Sequence, residues 1–169
     1  MHTFQPYPIE LLEMNPFTKL GKEWALVTAG NKTKCNTMTV SWGGVGVIWN
    51  KNVVYIFVRD SRYTKEFIDQ GDFFSLSFLD EKYRPALSYC GSHSGRDGDK
   101  MAETGLTPAD LQGAVGIEQA ELVFVCRKLY SYDMEESGFL TDDGIPAQFF
   151  GTDPYHRAYI AEIVGVYVK

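Results

Sequence analysis

The chain has 169 residues, 44% of them hydrophobic and 22% charged, which suits one globular domain with a core of its own and no need of disulfides. Its 22 acidic against 16 basic residues give a net charge of −6, which argues against a nucleic-acid surface but leaves room for a local basic cluster. No stretch approaches the ~20 apolar residues of a membrane-spanning helix, and no basic flank precedes an apolar run at the N-terminus, so neither a span nor a signal peptide is expected.

Residues 4–22 read as an N-terminal arm punctuated by Pro6, Pro8 and Pro16, with at most a short helix over 9–14. A first strand is expected over 24–29, a turn at Gly30-Asn31-Lys32, and a second strand over 37–42 with Met38, Val40 and Trp42 on one face. Asn31-Lys32-Thr33 matches a glycosylation sequon and is set aside for want of a secretory signal. Gly43-Gly44-Val45-Gly46 follows. It fails the dinucleotide fingerprint, because Trp49 stands where the third glycine belongs and no βαβ unit surrounds it; a bend or a close backbone approach is the expected use. After a turn at residues 50–52, residues 53–58 form a β-branched and aromatic strand, expected to be buried on both faces. Ser61 is a candidate cap for a helix over 63–70, with Gly71 ending it, and residues 73–79 are the next strand.

A helix over 82–89 then leads into a loop at 90–97. A short helix over 99–103 ends at Gly105, and residues 108–112 read as a turn or short helix. Residues 121–130 are a long strand, 134–154 an acidic surface excursion, and 157–168 the last strand. Six or seven strands with inserted helices make the fold mainly β, a barrel rather than a βαβ sheet, in a single domain over 1–169.

Chemistry concentrates in three stretches: Asn36-Thr37-Met38-Thr39-Val40-Ser41-Trp42, Ser61-Arg62-Tyr63-Thr64, and Cys90-Gly91-Ser92-His93-Ser94-Gly95-Arg96-Asp97. Hydroxyls, loop N–H groups and guanidinium forks are what a phosphate ester needs, so the three read as one site for a phosphorylated cofactor. Arg59, Arg62, Arg96 and Lys100 supply the local positive charge. Each stretch also has a plainer reading: solvated charge, a capping loop, an amphipathic strand. Cys90 and His93 could share a helix face as a nucleophile pair, but no third orienting residue is identifiable, and a buried structural cysteine is favoured. His2, His93 and His156 are scattered, and Cys35, Cys90 and Cys126 lack ligand spacing, so no metal site is expected. Three cysteines without a C-x-x-C suggest reduced thiols and a cytoplasmic protein. His156 reads as a surface histidine with a lesser claim to bordering a pocket, and Glu135-Glu136 and Asp142-Asp143 as a solvated loop.

Pro6-Tyr7-Pro8-Ile9-Glu10-Leu11-Leu12, Asn36-Thr37-Met38-Thr39-Val40-Ser41-Trp42-Gly43, Arg59-Asp60-Ser61-Arg62-Tyr63-Thr64 and Ser94-Gly95-Arg96-Asp97, in that order over nearly the whole chain, resemble the flavin reductase-like family of FMN-binding split barrels, flavoredoxin-like proteins included. The resemblance implies an antiparallel split barrel that binds FMN non-covalently, as a homodimer with FMN near the subunit interface. Thr37, Met38, Thr39, Val40, Ser41 and Trp42 would line the isoalloxazine ring with backbone groups and hydroxyls. Ser61, Arg62, Tyr63 and Thr64 would bind the phosphate and ribityl chain. Ser92, Ser94, Arg96 and Lys100 would complete the phosphate pocket, and Cys90 and Gly91 would pass close to the flavin. Arg59 and Asp97 belong to the same motifs and are carried over as cofactor-binding positions. Position 60, often proline in this motif, is Asp60, whose charge should point away from the phosphate. The implied activity is an oxidoreductase in which NADH or NADPH feeds electrons through FMN to a second small-molecule acceptor, with no general acid or base of the protein's own. An electron carrier or flavin-holding protein without nicotinamide activity is the alternative, and a flavin-free interaction module a third. Trp42, Trp49, Tyr155 and His156 are candidates for an aromatic-walled nicotinamide opening.

Overall fold

A computed structural model describes residues 3–153 and 155–169; His2 and the loop marker Pro154 lie outside the described residues. The strands are β1 (Gln5–Pro6), β2 (Ala25–Asn31), β3 (Lys34–Val40), β4 (Gly43–Ile48), β5 (Lys51–Arg59), β6 (Phe73–Leu79), β7 (Pro108–Leu111), β8 (Ala114–Ile117), β9 (Ala120–Asp133) and β10 (His156–Val168). The helices are α1 (Pro16–Thr18), running on as a π-helical turn over Lys19–Glu23, then α2 (Tyr63–Gln70), α3 (Arg84–Ser92), α4 (Lys100–Thr104) and α5 (Ile145–Phe150), with single 3-10 turns at Ile9–Leu11, Glu81–Tyr83 and Glu136–Gly138.

One antiparallel sheet runs β3-β2-β6-β9-β10-β5-β4, and β1 adds to β10. The path begins at β3 and ends at β4, strands consecutive in the chain that do not pair, so the barrel is split along the seam where Ser41 and Trp42 join them. The fold is the expected antiparallel split barrel. Both faces of β2 over residues 25–29 and of β9 over residues 122–126 are covered. Val27, Phe124 and Cys126 fill the barrel with Met38, Ile56 and Phe74. Leu26, Val123 and Val125 point outward under Leu87, Cys90 and Ile117. Buried hydroxyls are all partnered where they face the outer layer: Ser75 Oγ donates to the Val115 carbonyl at 2.6 Å, and Ser77 Oγ accepts from Ile117 N–H at 3.2 Å, fixing β8 to β6.

Several expectations are corrected. The glycine run opens β4, and of its two expected uses the close approach is the one found, Gly43 packing against the Tyr55 backbone; residues 108–112 are not helical: β7 and β8 form an antiparallel hairpin, with Asp110 against Val115. The Trp49–Asn50 turn, both residues at positive φ (53° and 55°), begins one residue before the expected one. Tyr55 on β5 is exposed, so that strand is not buried on both faces. α3 continues through Cys90, Gly91 and Ser92, which are helical rather than loop. Ser61 does not cap α2; Arg62 holds the cap position and no side chain fills it. α2 and β6 have the expected bounds, and Asp99 caps α4 by accepting from Met101 and Ala102 N–H before Gly105 ends it in the left-handed region.

Candidate functional site

β3 delivers its C-terminal end to the seam, β5 and β10 run antiparallel beside it, and α2 and α3 close one side. The result is a cleft of two chambers that share Trp42, Phe57 and His156. The narrower, about 190 Å³, is lined by the end of β3 from Met38 to Val40, by Ser41 and Trp42 of the seam, and by Arg59 and Arg62. The wider, about 370 Å³, adds Met134, Phe139, Ile145, Phe149 and Phe150 from the excursion.

The polar end is held by short bonds. Arg62 Nη1 donates to the Gly91 carbonyl at 2.7 Å and Nη2 to that of Cys90 at 3.3 Å. Lys100, buried, donates from Nζ to the same Cys90 carbonyl at 3.0 Å. The C-terminal carbonyls of α3 thus anchor two cations, as a helix C-terminus favours, and of the two Arg62 lines the chamber. Burial pulls the Arg62 guanidinium below its ordinary range, and Arg59 adds repulsion. Burial, with Arg62 nearby, lowers Lys100 to about 8 against the attraction of Cys90. Burial raises the Cys90 thiol, which fits the structural reading of that cysteine.

The serine- and arginine-rich loop sits beside this wall. Arg96 donates from Nη1 to the Ser61 carbonyl at 3.1 Å, pairs with Glu66 and lies 4.8 Å over the Tyr63 ring. Ser94 Oγ accepts from Arg96 N–H, and Ser92 Oγ is turned back onto the Ser88 carbonyl of its own helix. Asp97 closes the loop through its N–H to the Ser94 carbonyl, with its side chain exposed. Asn36 ties the parts together: its Nδ2 donates to Thr64 Oγ1 at 2.8 Å, and a Cβ on Gly95 would lie 2.1 Å from its Oδ1. That glycine is needed for close approach.

The structure therefore brings Met38 to Trp42, Arg59 and Arg62 into one chamber; Ser61, Ser94 and Arg96 are joined to one another but do not line it, and Tyr63 lines a separate pocket with Glu66 and Phe73. Nor does every other hydroxyl reach the chamber. Thr37 is fully buried and its hydroxyl bonds to Thr28 Oγ1 and the Val27 carbonyl, so only its backbone can serve a ligand. Thr64 is likewise committed to Asn36, Thr39 Oγ1 to the Leu87 carbonyl, and Ser92 to its helix. Asp60 pairs with Lys65 at 3.2 Å, consistent with a charge aimed away.

Sequence reading misplaces one residue here. His156 is not a surface histidine: it is 7% exposed, 5.4 Å from the Trp42 and Phe150 rings, and burial with Arg59 nearby lowers it to about 4. Trp42 and His156 line both chambers; Tyr155 stacks behind on Phe150 at 4.6 Å, while Trp49 lies on the far hairpin against Tyr130. The aromatic residues of the excursion were missed. Their signal was Phe139, Ile145, Phe149 and Phe150 in an otherwise acidic segment. Arg59 holds that segment, donating to the Phe149 carbonyl at 2.7 Å and pairing with Asp153 at 3.5 Å. Among the described residues no group of three or more His, Cys, Asp or Glu could hold a metal, and no helix is long and apolar enough to cross a membrane.

The residues fit a flat, phosphorylated group: a desolvated guanidinium at one end, aromatic walls at the other. A family model described as a flavin reductase like domain matches residues 17–169. The structure is similar to a flavoredoxin from Methanosarcina acetivorans, at 24% identity over 87% of this chain and 68% of that one, with a TM-score of 0.67. It is similar to an FMN-binding domain of a flavin reductases-like enzyme from Shewanella baltica, at 15% identity over 98% and 77% of the two chains, TM-score 0.69. It is also similar to an NADH:FAD oxidoreductase from Streptomyces globisporus, at 16% identity over 87% and 75%, TM-score 0.64. No curated protein sequence matches.

Proposed function

Because this chain belongs to the flavin reductase-like domain family, we propose that its cleft holds FMN non-covalently and that the protein is an oxidoreductase taking electrons from NADH or NADPH and passing them to a second small-molecule acceptor. The observation that carries this reading is the meeting, in one narrow chamber, of the Arg62 fork with the Trp42 wall and the backbone of β3. Arg62, Ser61 and the loop carrying Ser94 and Arg96 are the groups that would hold the phosphate, with Lys100 adding positive charge behind them. Backbone groups from Thr37 to Ser41 would meet the ring's polar edge. Bound FMN would supply the two-electron chemistry; the chain's own work is to bind, orient and exclude water.

Self-association is part of the proposal. Val47, Trp49, Tyr55, Tyr130 and Tyr132 leave an exposed apolar face on β4, β5 and β9, and an apolar patch of this kind suits a second copy of the chain.

The test is an anaerobic titration of FMN-loaded protein with NADH, then NADPH, following the flavin's visible band. Rapid bleaching by either supports the reductase and names its donor. Bleaching by dithionite alone favours a carrier or flavin-holding protein. A protein that takes up no FMN sinks the flavin reading.

A further inference from the structure

A further hollow lies where the N-terminal arm meets α3 and the start of β9. At about 530 Å³ it falls inside the usual range of ligand cavities, roughly 300–1,000 Å³. Leu79 and Leu87, both nearly buried, form its floor. Its charged lining comes in two sets. Lys22 of the π-helical turn and Arg84 of α3 are positive; Glu81 of the 3-10 turn before α3 and Glu121 of β9 are negative. Lys19 and Glu23 line it too but neutralise each other at 2.6 Å, and Asp80 accepts from the Lys82 N–H. Among the described residues no hydrogen bond or ion pair engages the side chains of Lys22, Glu81 and Glu121. The arm-side wall is strained. Trp24 follows the π-helical turn with φ 70° and ψ 167°, a region that residues other than glycine rarely occupy. Arg84 holds the wall in that form: Nη1 donates to the Lys22 carbonyl at 2.6 Å and the Glu23 carbonyl at 3.2 Å, and the guanidinium lies 3.2 Å over the Trp24 ring. π-helical turns and backbone outliers both gather at functional sites.

We propose that this hollow is a binding site for a free α-amino acid with an aliphatic side chain. An anion alone would meet Glu81 and Glu121, and a cation alone Lys22 and Arg84. A ligand that carries both charges on one carbon, with an apolar tail, answers both sets and the leucine floor together. Arg84 gives only Nη1 to the backbone carbonyls, which leaves Nε and Nη2 for a carboxylate, with Lys22 as a second donor. Glu81 and Glu121 receive the ammonium. α3 keeps this site apart from the cleft: Arg84 stands at its first residue, and the Cys90 and Gly91 carbonyls that hold Arg62 stand in its last turn. The site therefore stands independently of the flavin reading.

The test is a calorimetric titration of the purified protein with L-leucine, with isocaproate, which is leucine without its ammonium, and with isoamylamine, which is leucine without its carboxylate. Leucine is expected to bind, and each of the other two at least about tenfold more weakly, since each loses one set of charge-assisted contacts. Lys22→Met and Glu121→Gln change exposed side chains and leave the core alone; each is expected to weaken leucine at least about tenfold with the melting temperature unchanged. In Glu121→Gln, isoamylamine should weaken as leucine does while isocaproate does not, which assigns the ammonium to the acidic side. No heat of binding at about 1 mM leucine, where even a site of modest affinity begins to fill, overturns the proposal. So does equal affinity for the three probes, or wild-type leucine affinity in both variants. Leucine affinity that falls as protein concentration rises also overturns it, because the hollow then belongs to a contact between two copies of the chain.

Discussion

Arg62 gives two of its donors to the Cys90 and Gly91 carbonyls, which fixes its fork at the chamber wall, whereas Arg96 is exposed, paired with Glu66 and laid over Tyr63. Charge-assisted hydrogen bonds are worth roughly 1.5–3 kcal/mol each. Arg62→Ala is accordingly expected to cost that much in FMN affinity, and Arg96→Ala less, because Glu66 already competes for its charge; a fluorescence titration ranking them the other way would move the phosphate to the loop carrying Arg96. His156 gives a pH signature of the same sign as the usual carboxylate, and opposite to a histidine that gains an acidic partner. Its folded pKa, about 4, lies below the ordinary 6.5, so the unfolded chain binds the extra proton in that interval. Its contribution is complete above about pH 6.5 and is lost as pH falls toward 4, on the order of 3 kcal/mol in all. Urea midpoints of wild type and His156→Phe should converge in their pH dependence above that window and separate within it. Gly43 has φ +144°, and a Cβ there would lie 2.3 Å from the Tyr55 carbonyl oxygen. Gly43→Ala is expected to lower stability by at least about 2 kcal/mol, seen as a reduced melting temperature. Residue types near the site were legible because basic and hydroxyl side chains announce themselves. Their direction was not: nothing local in the sequence tells that Thr37 turns into the barrel or that His156 is desolvated, since both depend on strands distant in the chain.

Elements with strong local grammar were the readable ones. α2 and β6 carried clean periodicity, and α4 carried an Asp cap and a terminal glycine. β4, β7 and β8 were lost because glycine and proline weigh against strands locally, and only pairing with β5, or with each other, makes them strands. α3 ran past its expected end, through Gly91 and Ser92, and closes with the His93 N–H on the Tyr89 carbonyl. The excursion over residues 134–153 read as solvent-facing from its acids, and its aromatic inner face emerged only against Trp42 and Phe57. Arg59 is its tether. In Arg59→Ala, amide exchange is expected to rise across residues 139–153 while β9 and β10 keep their protection; uniform acceleration would mean that Arg59 supports the barrel instead.

For the whole molecule, the seam between β3 and β4 decides where a ligand can enter, because every other strand edge in the barrel path is paired. Antiparallel order follows from short connections and alternating burial, which the sequence displayed; the split does not, since it depends on which edge strands fail to meet. The apolar face around Trp49 and Tyr130 gives this scale its own test. Trp49→Lys with Tyr130→Lys is expected to shift the sedimenting species toward a monomer with little change in melting temperature, and an unaltered sedimentation profile would remove that face from the assembly. The three tryptophans divide the molecule optically. Trp24 lies 3.2 Å beneath the Arg84 guanidinium, Trp49 sits at the hairpin tip, and Trp42 stands 44% exposed on the wall common to both chambers. With Trp24 and Trp49 changed to phenylalanine, emission comes from Trp42 alone, and the protein carries an intrinsic lamp at the cleft whose dimming can be followed in real time as each ligand arrives.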